Sequence, residues 1–183
     1  RDRLRSRGLG DVYKRQRQNC RPPRKSAVLP QTLPGPRPAI NMDYRTDAPP
    51  ILRDFLVYHE TIQGHSRRTV DEYFLDLRNF LRFLKLDKGR VARNTPLDQI
   101  SIDDVDLDLV RTVTLSDVYS YMNYLSRDRA VHPNSPDVHY GLSAPARARK
   151  VAAIRSFYKY LTNKAKLITE NPMQDLDLSL IHI

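Results

Sequence analysis

The chain has 183 residues, with 31 Lys and Arg against 21 Asp and Glu, which gives a formal net charge of +10. Residues 1–41 hold 11 of the basic and 2 of the acidic residues, so residues 42–183 carry a net charge of only +1. Bulk charge therefore does not indicate nucleic-acid binding, and only the distribution of charge can be used. A single cysteine, Cys20, excludes an internal disulfide framework and a thiolate metal cluster. No apolar run is long enough to span a membrane, so we expect a soluble cytoplasmic protein.

Both ends of the chain look foreign. Residues 11–16 read DVYKRQ and residues 178–183 read LSLIHI. Their back-translations are reverse complements that resemble the transposon mosaic end of tagmentation sequencing libraries. We therefore expect residues 1–41 to be adapter or leader sequence, or else a disordered basic extension, and residues 178–183 to be an adapter-derived tail. The credible domain is then residues 42–177, in a parent protein that continues further.

Two amphipathic helices are predicted in the first half of that domain. Pro49 and Pro50 lead into the first helix, which is expected to end near Gly64. Its apolar positions are Ile51, Leu52, Phe55, Leu56, His59 and Ile62. Ser66 caps the second helix, which is expected to close near Gly89. Its apolar stripe is Val70, Tyr73, Phe74, Leu77, Leu81 and Leu84. The three-and-four spacing of both sets is that of one helical face.

The second half repeats the pattern after an acidic connection. Ser101, with an acid three residues later, is expected to cap a short helical turn, and Thr114 with Asp117 predicts the capping box of a third long helix. Residues 130–141 are predicted to form a loop. A fourth helix is predicted from Ser143 to about Lys166. Its apolar positions are Val151, Ile154, Phe157, Tyr158 and Leu161, and its opposite, bare face carries Arg147, Arg149, Lys150, Arg155 and Lys159.

The basic residues fall at two helix starts. Arg67 and Arg68 stand in the first turn of the second helix, where the helix dipole favours acids rather than bases. With Ser66 and Thr69 they form a ready site for phosphate. A solvated basic helix end is the alternative for each cluster.

Two runs carry a family resemblance. The run HSRRTVDEYFLDLRNFLRFL resembles a motif of the tyrosine recombinases, the phage integrases and Xer-type enzymes. It matches at Ser66, Thr69, Tyr73, Asp76, Leu77, Phe80, Phe83 and Leu84. The run RKVAAIRSFYKYLTNKAKLITENPMQDL resembles a later motif of the same family. It matches at Arg155, Phe157, Tyr158, Tyr160, Leu161, Asn171 and Pro172.

This resemblance implies an all-α, four-helix, SAM-like core-binding domain that forms half of a clamp around duplex DNA. It also implies other recombinase protomers as partners, in chromosome-dimer resolution or in DNA integration. The catalytic Arg, Lys, His and Tyr residues would lie in a domain that this chain lacks, so we expect no strand cleavage by it. The predicted DNA-binding residues are Ser66, Arg67, Arg68, Thr69, Arg147, Arg149, Lys150 and Arg155. The alternative is a helical protein–protein interaction module that uses its basic face on an acidic partner.

Other candidate sites are weaker. His59 lies on an apolar face and is predicted to be a satisfied core histidine rather than a metal ligand. The acids at positions 103–108 lack a calcium-loop signature and are predicted to be solvated. Tyr73, Tyr121 and Tyr158 fall on apolar stripes, so none is a candidate nucleophile. We expect no metal and no cofactor.

Overall fold

The computed structural model describes residues 43–131 and 138–176, and within them the chain is almost entirely helical. The helices are α1 Tyr44–Asp47, α2 Pro50–Thr61, α3 Arg67–Asp87, α4 Leu107–Arg111, α5 Leu115–Arg127 and α6 Ala144–Asn163. A 3-10 turn spans Leu97–Gln99, and β1 Ala130–Val131 pairs antiparallel with β2 His139–Tyr140. The predicted all-α class with four long helices is confirmed. The predicted domain boundaries at positions 41 and 177 lie outside the described residues.

The predicted caps of two long helices are confirmed. Ser66 Oγ accepts the N–H of Thr69 at 3.3 Å at the start of α3. Thr114 and Asp117 form a reciprocal capping box at the start of α5, which satisfies two backbone donors that the helix leaves open. Ser143 precedes α6 as predicted, although its side chain makes no capping hydrogen bond.

Two short helices differ from the prediction. Ser101 does not cap a helix, because its Oγ accepts the N–H of Asp103 within a turn. The short helix α4 begins instead after Asp106, whose Oδ1 accepts the N–H of Leu109 at 2.9 Å. Helix α1 was not predicted, since four residues are too few to show a helical period.

The predicted loop over residues 130–141 contains the strand pair, and its base is fixed to α5. The N–H of Gly141 donates to the carbonyl of Arg129, and the N–H of Leu142 donates to the carbonyl of Leu125, both at 2.8 Å. Gly141 has φ +88°, and a Cβ on it would lie 2.2 Å from the carbonyl oxygen of Ser126. Only glycine fits this position, because any side chain would collide with the backbone of α5.

Helix α3 is the centre of the core and packs against α2, α5 and α6. Its fully buried side chains include Val70, Leu77, Phe80, Leu81 and Leu84. Each such side chain contributes about 1.5–3 kcal/mol through burial. Aromatic contacts join the helices: the rings of Phe55 and Phe157 lie 5.3 Å apart, and those of Phe80 and Tyr121 lie 5.1 Å apart. The packing holds the first turns of α3 and α6 in fixed positions.

Candidate nucleic-acid interface

The first turn of α3 presents the four residues that the sequence singled out. Ser66, Arg67, Arg68 and Thr69 are all exposed. The hydroxyls of Ser66 and Thr69 lie 2.9 Å apart, so the cap is built from the same two groups that were predicted to meet a phosphate. No acid stands in this turn itself; Glu60 of α2, whose pKa is lowered mainly by the hydrogen bond from Tyr44, is also within electrostatic reach of Arg67.

Lys150 is buried, and the prediction that it lies on the exposed basic face is wrong. Its side chain is 6% exposed, and its Nζ lies 2.5 Å from Oδ1 of Asp76, a carboxylate that is itself 2% exposed. Burial lowers the pKa of Lys150, while the hydrogen bond to Asp76 acts in the opposite direction. Position 150 is four residues before the buried Ile154, so it falls on the core stripe of α6.

Arg149, in the second turn of α6, contacts two acids of α3, Glu72 and Asp76. Its Nη1 lies 3.0 Å from Oε2 of Glu72, and its Nε lies 3.2 Å from Oδ2 of Asp76. The guanidinium side chain remains half exposed. The basic face of α6 is therefore not bare, as the sequence suggested, because two acids of α3 stand against it.

The other two predicted residues of α6 differ from each other. Arg155 donates from Nη2 to the carbonyl of Leu176 at 2.5 Å, so it fastens the last described segment to the helix. Arg147 is partly buried in the first turn of α6. Of the two, only Arg147 lies at the helix start together with Arg149.

Arg129 is a cation near this site that the sequence analysis missed. Burial is the main cause of the lowered pKa of Lys150, and the positive charges of Arg129 and Arg149 lower it further. The Nη1 of Arg129 is buried and has no hydrogen-bond acceptor among the described residues. Its backbone is held by hydrogen bonds to Tyr124 and Gly141, and no local sequence signal reveals that its side chain lies near Lys150 of α6.

These groups form one cluster of mixed charge, which we call the α3–α6 cluster. Its members are Glu72, Asp76, Arg129, Arg149 and Lys150. Three cationic side chains lie near two carboxylates, and the N-terminus of α6 adds partial positive charge. The cluster therefore has the sign that attracts a polyanion, although less strongly than the number of its bases suggests.

The buried tyrosines are structural. Tyr121 and Tyr158 lie in the core as predicted, and burial raises the pKa of both phenols. The hydroxyl of Tyr158 donates to the carbonyl of Val110 at 3.1 Å, which ties α6 to α4. Tyr73 is only partly buried.

His59 is the satisfied core histidine that was predicted. Its Nε2 lies 3.2 Å from Oγ of Ser156, and its Nδ1 lies 3.3 Å from Nδ1 of His65. Burial, with a smaller effect of the charge on His65, lowers the pKa of His59 to about 4, so its ring is neutral near pH 7. Within residues 43–131 and 138–176, no group of three His, Cys, Asp or Glu is placed to hold a metal ion.

A separate cleft of about 630 Å³ lies beside α4, the start of α5 and residues 167–175. Its walls mix apolar side chains with Arg111, Glu170 and Asp175, and no predicted DNA-binding residue lines it. None of the helices in the described part of the chain combines the length and apolar character required to cross a bilayer.

Comparison with known proteins finds no matching family model and no matching solved structure. Several curated proteins do match. "Tyrosine recombinase XerC" of Caldanaerobacter subterraneus subsp. tengcongensis is 46% identical over 129 residues, which are 70% of this chain and 33% of the relative. The protein of the same name from Lacticaseibacillus casei is 28% identical over 128 residues, 70% of this chain and 33% of the relative. "Tyrosine recombinase XerS" of Lactococcus lactis subsp. cremoris is 32% identical over 118 residues, 64% of this chain and 30% of the relative. The chain thus spans about a third of the length of the curated relatives that it matches.

Proposed function

Because this chain is a homologue of the Xer tyrosine recombinases, as its two sequence runs predicted, we propose that its helical domain binds duplex DNA for a site-specific recombinase. In this proposal the domain forms one half of a clamp around the recombination site, beside other protomers. We assign strand cleavage to parts of the parent protein outside this chain, because the chain spans only about a third of its relatives' length. Chromosome-dimer resolution and DNA integration are both compatible with this role.

The observation that carries the proposal is the exposed first turn of α3. Arg67 and Arg68 stand where a helix already carries partial positive charge, and a cation there costs roughly 0.3–1 kcal/mol. A phosphate at this turn would be bound by the two guanidinium groups and by the open backbone donors together. A local arrangement that is unfavourable for the helix alone is typical of a binding site.

The second half of the interface is the start of α6. Arg149 reaches the second turn of α3 through Glu72, so the two helix starts present their cations on neighbouring turns. We propose phosphate contacts from Ser66, Arg67, Arg68, Thr69, Arg147 and Arg149, with one arginine of α6 reaching guanine in the major groove. We propose that Lys150 and Arg155 stabilise this surface from the protein side. Lys150 does so through Asp76, and Arg155 through the carbonyl of Leu176. We add Arg129 to the proposed interface as a cation that neighbours Lys150.

The test is the salt dependence of duplex binding. Fluorescence anisotropy of a labelled duplex would be measured over a series of KCl concentrations with the full chain. Replacing Arg67 and Arg68 by Ala should weaken binding and flatten the slope of log K against log salt by about 0.9 for each lost phosphate contact. The matched control replaces Lys159 and Lys164, two exposed lysines toward the other end of α6, and should leave the slope nearly unchanged.

Two results would contradict the proposal. Equal slopes for the two double variants would mean that the first turn of α3 has no special contact with DNA. Stronger displacement of the duplex by polyglutamate than by unlabelled duplex would favour an acidic protein partner. Thermal unfolding of each variant checks that the fold survives, since surface substitutions usually change stability by less than about 0.5 kcal/mol.

A further inference from the structure

We propose that Glu72 is an internal competitor for the DNA phosphate: it holds Arg149 in the free protein and gives it up when a duplex binds. This inference rests on the proposed function and adds a control on its strength. It predicts that removing the charge of Glu72 tightens DNA binding only through Arg149.

The geometry separates a permanent pair from an exchangeable one. Lys150 and Asp76 are both buried and lie 2.5 Å apart, so their charges satisfy each other inside the core. Arg149 and Glu72 lie 3.0 Å apart, and their side chains are 54% and 40% exposed. Water reaches the second pair and screens it, so its two partners can separate at small cost.

The contact of Arg149 with Asp76 does not replace its contact with Glu72. The Nε of Arg149 lies 3.2 Å from Oδ2 of Asp76, yet this oxygen has no hydrogen-bond donor among the described residues. The two groups attract each other without being aligned for a hydrogen bond. Asp76 already has its full counter-charge in Lys150, so Glu72 is the acid that decides whether Arg149 is available to a ligand.

A phosphate is the ligand that competes well for this guanidinium. Arginine binds phosphate through two parallel hydrogen bonds, as it does a carboxylate, and the field of a duplex adds the attraction of many charges. The charge of Arg129 acts on Lys150, the residue next to Arg149, and together with the N-terminus of α6 it favours an anion in this region. Exchange of Glu72 for phosphate therefore lowers the gain in affinity from a phosphate at Arg149, and a duplex that places no phosphate there does not break the pair.

The experiment is Glu72→Gln in the full chain, with the affinity for a DNA duplex of arbitrary sequence measured over a KCl series. Glutamine keeps the shape of the side chain and removes its charge. We expect binding to tighten about two- to five-fold at low salt, which is the free energy of an exposed pair expressed as a ratio. The slope of log K against log salt should stay nearly unchanged, because Arg149 contacts the phosphate in both proteins and the substitution removes only its competitor.

Two controls isolate Arg149. Asp108→Asn removes one negative charge from another exposed pair, Asp108 with Arg111 on α4, and should change affinity much less. In a chain that already carries Arg149→Ala, adding Glu72→Gln should bring no further gain. The midpoint of thermal unfolding should be nearly the same for all these variants, which shows that the comparison is made between folded proteins.

The outcomes distinguish this inference from the proposed function. Unchanged or weaker binding by Glu72→Gln would overturn the inference alone, provided that Arg67→Ala and Arg68→Ala still weaken binding. A gain that persists without Arg149 would also overturn it, because the effect would then be one of net charge. If neither the wild type nor any variant binds duplex at low salt, both proposals fail.

Discussion

Two lysines of this domain are equally buried and differ in the acids they meet. Lys85 on α3 and Lys150 on α6 each have a side chain that is 6% exposed, and each Nζ lies 2.5 Å from an aspartate oxygen. The carboxylate of Asp104 is 66% exposed, whereas that of Asp76 is 2% exposed. The Lys85–Asp104 pair is therefore partly solvated, whereas the Lys150–Asp76 pair is enclosed in the core.

The difference shows where the bundle depends on a complete pair. At Lys85, the carbonyl of Ser101 already accepts a hydrogen bond from Nζ. If the exposed carboxylate of Asp104 is removed, water can take its place beside the ammonium. At Lys150 the carboxylate of Asp76 is itself buried, so its removal admits little water to the ammonium, and the pair joins the two helices that carry the proposed DNA interface. A buried ion that loses its partner costs much more than an exposed one.

The largest expected effect comes from breaking the enclosed pair. Asp76→Ala leaves the ammonium of Lys150 buried and uncompensated, so we expect a loss of about 3–5 kcal/mol in the free energy of unfolding, measured by urea denaturation. The double variant Asp76→Leu with Lys150→Met should recover most of this loss, since an apolar pair of similar volume needs no counter-charge. A loss below about 1 kcal/mol for Asp76→Ala would show that water reaches Lys150 after all.

An intermediate effect is expected from His59, a buried titratable group with no acid beside it. Its folded-state pKa of about 4 lies below the ordinary value of 6.5, so the unfolded chain binds the proton more readily between these values. Stability is fully present above about pH 6.5 and falls as the pH is lowered toward 4. We expect a loss of about 1–2 kcal/mol over this window, since solvent still screens part of the ring.

The measurement is urea denaturation at several pH values. His59→Gln should flatten the dependence between pH 6.5 and 4, because glutamine keeps a hydrogen-bonding group near Ser156 and does not titrate there. An unchanged pH dependence in this variant would place the titration on another group.

The smallest effect is expected at the solvated pair. Asp104→Ala should cost no more than about 1 kcal/mol near neutral pH, because its carboxylate is mostly in water. The hydrogen bond from Lys85 lowers the pKa of Asp104, so its contribution is present above the ordinary carboxyl pKa and is lost as the pH falls through the lowered value. Comparing wild type and variant by thermal unfolding at neutral and acid pH checks both parts. A cost equal to that of Asp76→Ala would remove the distinction between the two pairs.

The long helices could be predicted because their signals are local. Ser66 and the Thr114–Asp117 box mark helix starts through hydrogen bonds within one turn. Gly64 and Gly89, at φ +66° and +69°, stand just past two helix ends as expected. The apolar stripes then predicted the buried faces, except that Ile62 is exposed and Tyr73 is only partly buried.

The charged cluster could be predicted only in part, because its pairs join distant segments. Lys150 falls on the apolar stripe of α6, and Asp76 stands between Tyr73 and Leu77 on that of α3. Each position alone reads as a polar residue at the margin of a core. Only the packing of α3 on α6 shows that the two are partners, and local periodicity carries no information about such contacts.

Gly141 gives the domain a practical property. Because the backbone there locks onto α5, the path of the chain into α6 is set by positions 141 and 142 rather than by what precedes them. A side chain introduced at position 141 would therefore displace the start of α6, and with it the surface that is proposed to bind DNA.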